Sequence, residues 1–259
     1  MIEKDIKFYK KNGWMIVRNF FNKKYLKNIK REILKKTKNK NKNFYFERIK
    51  NKLKLRRIEK VTDFSKNAKN LICAKKTQKL FEKLEGKKLI LFKDKLNFKF
   101  PGGKGYLPHI DGHFYWRDDK KKYQKGWKKY SLNFVNLVLP LEPSNIKNGC
   151  IYVANKSDTN KLGKNFDDIT KKLVINTPNI KLKDKKKFKF YPIELKVGDI
   201  CLFNWKCAHY SENNYSNRSR MIFYATFCKK NKKNNLRNKY YKDKFNSYNN
   251  KKNKSLLFT

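Results

Sequence analysis

At Leu89 the periodicity of this 259-residue chain changes. Upstream, apolar residues recur at helical spacing. Downstream, they gather in short runs of strand length divided by turn residues. Residues 25–36 carry Tyr25, Leu26, Ile29, Ile33 and Leu34 on one helical stripe, and residues 62–84 do the same with Leu71, Ile72, Leu80, Phe81 and Leu84. Gly86 stands where a helix C-cap is expected. Trp14-Met15-Ile16-Val17 reads as a short strand and residues 37–43 as a polar loop, so the N-terminal third is expected to be mostly helical. From Leu89 onward, strand-like segments fall at residues 89–92, 96–100, 131–139, 150–153, 188–193, 200–204 and 221–227. Pro101-Gly102-Gly103, Gly149 and Val197-Gly198-Asp199 mark turns between them. A helical part followed by many short strands predicts a mainly β chain with flanking helices, built as a cupin-like jelly-roll barrel. One domain is expected over residues 1–228. Residues 229–259, rich in Lys, Asn and Tyr, form a basic extension that either packs on the barrel through Leu236, Tyr240 and Tyr241 or hangs loose.

Composition limits the classes open to such a chain. Hydrophobic residues make up 39% and aromatics 15%, too many for disorder despite 34% charged residues. Lys and Arg total 68 against 21 acids, a formal net charge of +47. Such a charge fits a nucleic-acid or anionic-surface binder, or equally a solvated surface shaped by a drift towards Lys and Asn. Lys is spread along the whole chain rather than gathered in one stretch, which favours the solvated surface and leaves an anionic small-molecule substrate open. The five cysteines, Cys73, Cys150, Cys201, Cys207 and Cys228, are odd in number and irregularly spaced, with no CxxC. A disulfide framework is not expected, and a reducing cytoplasm fits best. The first residues lack the apolar core of a secretory signal, and no apolar run approaches the roughly 18 residues that span a bilayer.

The chain holds three histidines: His109, His113 and His209. In Pro108-His109-Ile110-Asp111-Gly112, a strand conformation would project His109 and Asp111 from the same face, about 6–7 Å apart at the backbone. His113 would lie about 13 Å from His109 along that strand, too far to share an ion. His209 follows the segment Phe203-Asn204-Trp205, at the end of a predicted strand. Two imidazoles and one carboxylate on one side of an ion make the facial set used by non-haem Fe(II), with positions left open for a co-substrate and O2. H-x-D alone is a weak signal. Cys207-x-His209 has no matching pair that would complete a zinc site.

Arg220 follows His209 by eleven residues and opens an apolar strand. A planar guanidinium there could hold the distal carboxylate of 2-oxoglutarate by a bidentate fork. Arg218 would share its strand face, and spacing does not separate the two.

The ordered run Asn97-x-Lys99-x-Pro101-Gly102, His109-x-Asp111, Gly149-Cys150-Ile151, Gly198-Asp199-Ile200-Cys201-Leu202-Phe203, His209-x-Ser211-x-x-Asn214 and Arg220 resembles the phytanoyl-CoA dioxygenase family, as does the opening Phe8-Tyr9-x-x-Asn12-Gly13-Trp14-Met15-Ile16-Val17. The resemblance spans roughly residues 5–245. It implies a double-stranded β-helix, Fe(II) as metal, 2-oxoglutarate as co-substrate and O2 as oxidant. By motif position it implies His109, Asp111 and His209 as iron ligands and Arg220 as the 2-oxoglutarate anchor. Asn97 and Ser211 would help hold 2-oxoglutarate, and Tyr115 or Trp116 would line the pocket. The carboxylate at Asp111 implies hydroxylation, because related halogenases leave that position to chloride. Where many members carry Pro-Gly-Ser-His after Gly-Cys-Leu, this chain reads Val153-Ala154-Asn155-Lys156-Ser157-Asp158, which leaves the pocket rim and the substrate undetermined. The expected activity is therefore hydroxylation of a C–H bond of a small molecule, with an anionic one left open by the charge. The competing reading is a non-catalytic basic protein of the same fold that binds nucleic acid or a small anion.

Overall fold

Seven strands of one antiparallel sheet alternate between two different environments, and that alternation locates the site. A computed structural model describes residues 3–37, 43–112, 115–117, 123–162, 180–229 and 235–249. The chain runs through α1 (Glu3–Asn12), β1 (Trp14–Val17), α2 (Lys23–Lys36), β2 (Phe44–Ile49), β3 (Lys52–Glu59), α3 (Val61–Phe64), α4 (Lys66–Ile72), α5 (Lys75–Glu85), β4 (Leu89–Lys99) and β5 (Tyr106–Ile110). It continues with β6 (Tyr115–Arg117), β7 (Tyr123–Lys125), β8 (Phe134–Pro140), β9 (Ile151–Ala154), α6 (Leu182–Lys185), β10 (Phe190–Ile193), β11 (Ile200–Asn204), β12 (Ala208–Ser211), β13 (Arg220–Lys229) and α7 (Leu236–Asn249). The major sheet has the order β1-β11-β8-β13-β4-β3-β2, the minor sheet β10-β9-β12-β5, and β6 pairs with β7. This is the expected double-stranded β-helix with helices on its flank.

On the outer face of the major sheet, Val135, Leu137, Leu139, Phe223, Ala225, Phe227, Leu96 and Phe98 pack against Leu26, Ile29, Ile33, Ile72, Leu80, Phe81 and Leu84 of the helices. The inner face meets the minor sheet: Val138, Cys201, Phe203 and Ile222 pack on Ile151, Val153 and Ile193. Strand β8 is therefore buried on both faces along its whole length. Side chains two residues apart share a face, so Asn136, Tyr224, Thr226, Lys95, Asn97 and Lys99 also turn inward. Polar groups placed there cost free energy unless they find partners. A run of them inside an otherwise apolar barrel marks a site.

Several expectations need correction. The charged N-terminal stretch forms helix α1, whose amphipathic face needs only Tyr9 and the partly buried Ile6 to dock. The region before residue 62 holds a hairpin, β2–β3, that extends the major sheet beside β4; the N-terminal third is mostly helical, as expected, but also carries this unexpected pair of strands. Strand β3 is rich in Lys and Arg, which masks its alternation. Residues 62–84 break into three helices: Ser65 ends α3 in an extended conformation and its side chain caps the first turn of α4. Gly86 ends α5 in the left-handed conformation at φ +70°, as expected for a C-cap.

Residues 89–99 are one strand rather than two. Its register steps from Thr226↔Lys93 to Phe227↔Leu91, so Phe92 is the extra residue of a β-bulge. Lys93 faces inward with Lys95 by simple alternation, while at the bulge Phe92 turns into an aromatic cluster with Trp127, Tyr130, Phe134 and Tyr240.

Helix α7 packs behind β4. Leu236 and Tyr240 join that aromatic cluster. Arg237 donates to Asp94 and Asp63, and Lys244 pairs with Glu59. Among the described residues no helix is long and apolar enough to cross a membrane, and all five cysteines are free thiols.

Candidate metal centre

His109 and His209 lie on neighbouring strands of the minor sheet, β5 and β12, in direct register. This differs from the expected place of His209 at the end of a strand begun at residue 200. Asn204 ends β11, a turn closes through residues 205–207, and His209 belongs to the opposite sheet. Asp111 stands just past β5. Gly112, at φ +76°, then turns the chain away, and a Cβ there would meet Trp127 and Trp205 at 3.2 Å. Glycine is the residue that fits both demands.

The candidate ligand atoms of His109, Asp111 and His209 all lie within 4.8 Å of one another. His209 Nε2 is 3.7 Å from Asp111 Oδ2, and the two imidazole centroids are 4.2 Å apart. Bonds of about 2 Å from a metal to N and O donors close on such a set with small side-chain movements.

The ring orientations are fixed from behind. His109 Nδ1 bonds the Leu107 carbonyl at 2.6 Å and His209 Nδ1 bonds the Cys207 carbonyl at 3.1 Å. A carbonyl only accepts, so both rings carry their proton on Nδ1 and leave the Nε2 lone pair for a metal. Burial pushes His109 down to about 3 and also lowers His209, against the pull of Asp111. Neutral imidazoles at physiological pH are what a metal requires. Burial works to raise the Asp111 carboxyl, but His209, Lys93, His109 and Lys95 outweigh it, leaving it below the ordinary carboxylate range.

Asp111 is itself held. Asn136 Nδ2 donates to Asp111 Oδ2 at 2.8 Å, and Thr226 Oγ1 donates to Asn136 Oδ1 at 2.7 Å. Both sit on the inner face of the major sheet, so this chain of bonds ties the metal set to the opposite wall of the barrel. Outer partners of metal ligands are typically worth 10–100-fold in affinity. Asn136→Leu is expected to weaken Fe(II) binding by about that factor with the fold retained. Anaerobic Fe(II) titration of the two proteins measures it, and equal affinities would show that Asn136 does not orient the ligand.

The metal set opens into a pocket lined in part by Lys93, Lys95, Asn97, Tyr106, Ser211 and Tyr224. At one end lies a buried cationic cradle. Arg220 and Lys99 are register partners on β13 and β4, and each is 1% exposed. Lys99 Nζ donates to Gly149 O, Ser211 Oγ and Glu212 O. Arg220 Nη1 donates to Gly149 O, while its Nε and the nearby Asn97 Oδ1 are buried without a partner. Burial, then Arg220 and Arg56, push Lys99 down to about 6. Gly149 shapes the cradle: its φ is +75°, and a Cβ would meet Glu212 O at 2.4 Å and Lys99 Nζ at 3.0 Å. A buried guanidinium with donors to spare, beside a second buried cation, fits an anion such as the distal carboxylate of a 2-oxo diacid.

Of the site residues expected from sequence, His109, Asp111, His209, Asn97 and Ser211 line one cavity, and Arg220 is buried beside it. Arg218 is exposed on the loop before β13, which separates the two arginines as spacing could not. Tyr115 and Trp116 fall on β6, but their side chains lie outside the described residues, as does His113. Sequence reasoning missed Lys93, Lys95, Asn136 and Thr226 as cavity residues. A signal was present in the alternation Lys93-x-Lys95-x-Asn97-x-Lys99, polar on one face against Leu96 and Phe98 on the other.

Comparison with known proteins gives a consistent result. The profile of the family described as phytanoyl-CoA dioxygenase matches residues 9–222. The 2-aminoethylphosphonate dioxygenase of uncultured bacterium HF130_AEPn_1 is 30% identical over 173 residues, covering 66% of this chain and 58% of that protein. This chain thus spans less than two thirds of that relative's length. The methylphosphonate hydroxylase of Gimesia maris is 24% identical over 204 residues, 79% of this chain and 70% of that one. The solved structure of EctD from S. alaskensis with 2-oxoglutarate and 5-hydroxyectoine matches with a TM-score of 0.66 at 12% identity, covering 88% of this chain and 76% of that one. At that identity it shows a shared fold.

Proposed function

The chain belongs to the phytanoyl-CoA dioxygenase family, and on that premise we propose that it is an Fe(II)- and 2-oxoglutarate-dependent dioxygenase that hydroxylates a C–H bond of a small anionic molecule. The observation that carries this reading is the pairing, within one barrel, of a two-histidine, one-carboxylate set with a buried arginine that has unspent donors. Fe(II), with 2-oxoglutarate and O2, supplies the oxidising chemistry when bound. The chain supplies the rest. His109 and His209 present Nε2, and Asp111 presents a carboxylate held by Asn136. Arg220 anchors the distal carboxylate of 2-oxoglutarate, with Ser211 and Asn97 as neighbouring polar contacts. Tyr115 or Trp116 lines the substrate side. A carboxylate at Asp111 suits hydroxylation rather than halogenation.

An anionic substrate is supported by two things. Two relatives are named for phosphonates, and the cavity wall carries Lys93 and Lys95. The five free thiols suit a reducing cytoplasm.

Anaerobic titration with Fe(II) and then 2-oxoglutarate tests the proposal. A weak visible charge-transfer band that saturates at one 2-oxoglutarate per iron is expected. A folded protein that gives no band at any concentration would remove the dioxygenase reading and leave the barrel as a binding protein.

A further inference from the structure

The cavity wall opposite the minor sheet carries charges that the dioxygenase reading does not use. Lys93 and Lys95 lie two residues apart on β4 and both line the cavity beside Asp111, His109 and His209. Their environment is unusual for lysine. Among the described residues neither ammonium forms an ion pair or a hydrogen bond. Each is held by aromatic faces instead: Lys93 Nζ stands 3.8 Å from the centroid of Trp127, and Lys95 Nζ stands 5.4 Å from Tyr224 and 5.6 Å from Tyr106. Aromatic faces position a cation without neutralising it. The acids nearby are committed elsewhere. Glu59 pairs with Lys244 and Arg57, Asp94 with Arg237 and Thr62, and Asp111 with Asn136 in the metal set. Burial lowers both lysines, Lys93 to about 7, because the pull of Asp111 and Glu59, whose own bonds go to other groups, does not offset it.

A structural role explains this pair poorly. An enclosed ammonium costs several kcal/mol unless it is paired, and a methionine would fill the same space without that cost. Two of them side by side, at the end of the stripe away from Lys99 and Arg220, also repel each other. A ligand bearing two negative charges reverses both costs. Lysine, a compact point charge with rotatable donors, suits a tetrahedral oxyanion better than a planar carboxylate, which arginine grips by its fork.

Resting on the dioxygenase reading for its chemistry but not for its binding, we infer that Lys93 and Lys95 form the substrate's anion subsite and that the substrate carries a small tetrahedral dianion, a phosphonate or a phosphate monoester. The subsite would place that group next to Asp111 and its carbon skeleton over the metal set. Lys99 and Arg220 remain the co-substrate cradle, so the two anions are sorted to opposite ends of one cationic strand face.

The test uses calorimetry on the purified full-length protein, without iron and again with Fe(II) and 2-oxoglutarate under anaerobic conditions. The probes are methylphosphonate, methyl phosphate and the monoanion methanesulfonate. Wild type is expected to bind at least one of the two dianions and to bind methanesulfonate more weakly. The tighter of the two dianions names the linkage. Lys93→Met and Lys95→Met are each expected to weaken dianion binding about 10- to 100-fold, the worth of a charge-assisted contact, and to leave 2-oxoglutarate affinity within about threefold. Binding of neither dianion in either state overturns the inference, as does equal binding of the monoanion. Loss of 2-oxoglutarate affinity in the variants, with dianion binding kept, would assign the lysines to the co-substrate instead. Failure of the iron titration alone, with dianion binding intact in the metal-free protein, would strike the dioxygenase reading and leave the subsite standing.

Discussion

Asp111→Asn is expected to give a folded protein that does not turn over and that binds Fe(II) more than about 100-fold more weakly than the unaltered chain. The bound comes from comparison: outer partners of metal ligands cost 10–100-fold when removed, and a direct ligand must cost more. Asn keeps the volume, so the packing around Gly112, Trp127 and Trp205 is not disturbed. It also keeps a carbonyl oxygen for Asn136 Nδ2 to donate to. What is lost is the charge. Asp111 is the carboxylate among the three candidate ligands, and it faces two imidazoles and two lysines that together hold its carboxyl below the ordinary range. Without it, a divalent cation would enter a pocket walled by Lys93 and Lys95 with no anion to meet it. Fe(II) titration, with circular dichroism to confirm the fold, is the measurement. An affinity within tenfold of the unaltered chain would mean that the carboxylate is not a ligand and that the iron site has been misplaced.

The convergence of His109, Asp111 and His209 was legible in sequence because its pieces are rare there. Three histidines in 259 residues leave few combinations, and H-x-D reads directly as two side chains on one strand face. The barrel was legible from Leu89 onward for the same kind of reason: its strands are short, apolar and fenced by glycine and aspartate turns. Where strands are basic, the pattern failed. Strand β3 interleaves Lys and Arg with Leu and Ile, and a lysine stem covers apolar surface while its head stays wet, so its period is hard to read, and β2 beside it shows no alternation of its own. The β4 bulge at Phe92 was invisible because one extra residue resets which face each later side chain takes. The reset falls before Lys93, whose inward face follows from simple alternation with Lys95, Asn97 and Lys99. Helix α7 was anticipated through Leu236, Tyr240 and Tyr241, but its role was not. Its Arg237 binds Asp94, which sits between Lys93 and Lys95 on the other face of β4, so the C-terminal helix braces the strand that carries the inward cations.

The charge also divides in a way that composition could not show. Most of the +47 is solvated, and its contribution to ion pairing on the surface is small. Lys93, Lys95, Lys99 and Arg220 differ because they point into the barrel, where low dielectric makes each unpaired charge strong and costly. Net charge says little about function here, while the position of four cations says a good deal.

Arg220→Leu is expected to weaken 2-oxoglutarate binding by about 30- to 3,000-fold while leaving Fe(II) affinity within about threefold. The range is the 2–5 kcal/mol typical of removing one partner of a buried charge pair, converted at 1.4 kcal/mol per tenfold. Lys99 cannot substitute for the arginine. An ammonium has three donors, and those of Lys99 are engaged by Gly149 O, Ser211 Oγ and Glu212 O. Arg220 has five donors, of which Nη1 meets Gly149 O and Nε meets nothing. The guanidinium is therefore the cation in the cradle with capacity left for a carboxylate. Removing it also relieves Lys99, whose pKa is depressed by burial and then by Arg220. A circular dichroism melting curve of the variant checks that a lost signal is not unfolding. A 2-oxo acid without a distal carboxylate, such as 2-oxobutyrate, supplies the control, because its keto-acid end does not depend on the arginine. It should bind both proteins alike, weakly. If Arg220→Leu weakened 2-oxobutyrate as much as 2-oxoglutarate, the guanidinium would be shaping the cavity rather than gripping the distal carboxylate, and the anchor would have to be sought elsewhere along the Lys93–Lys99 face.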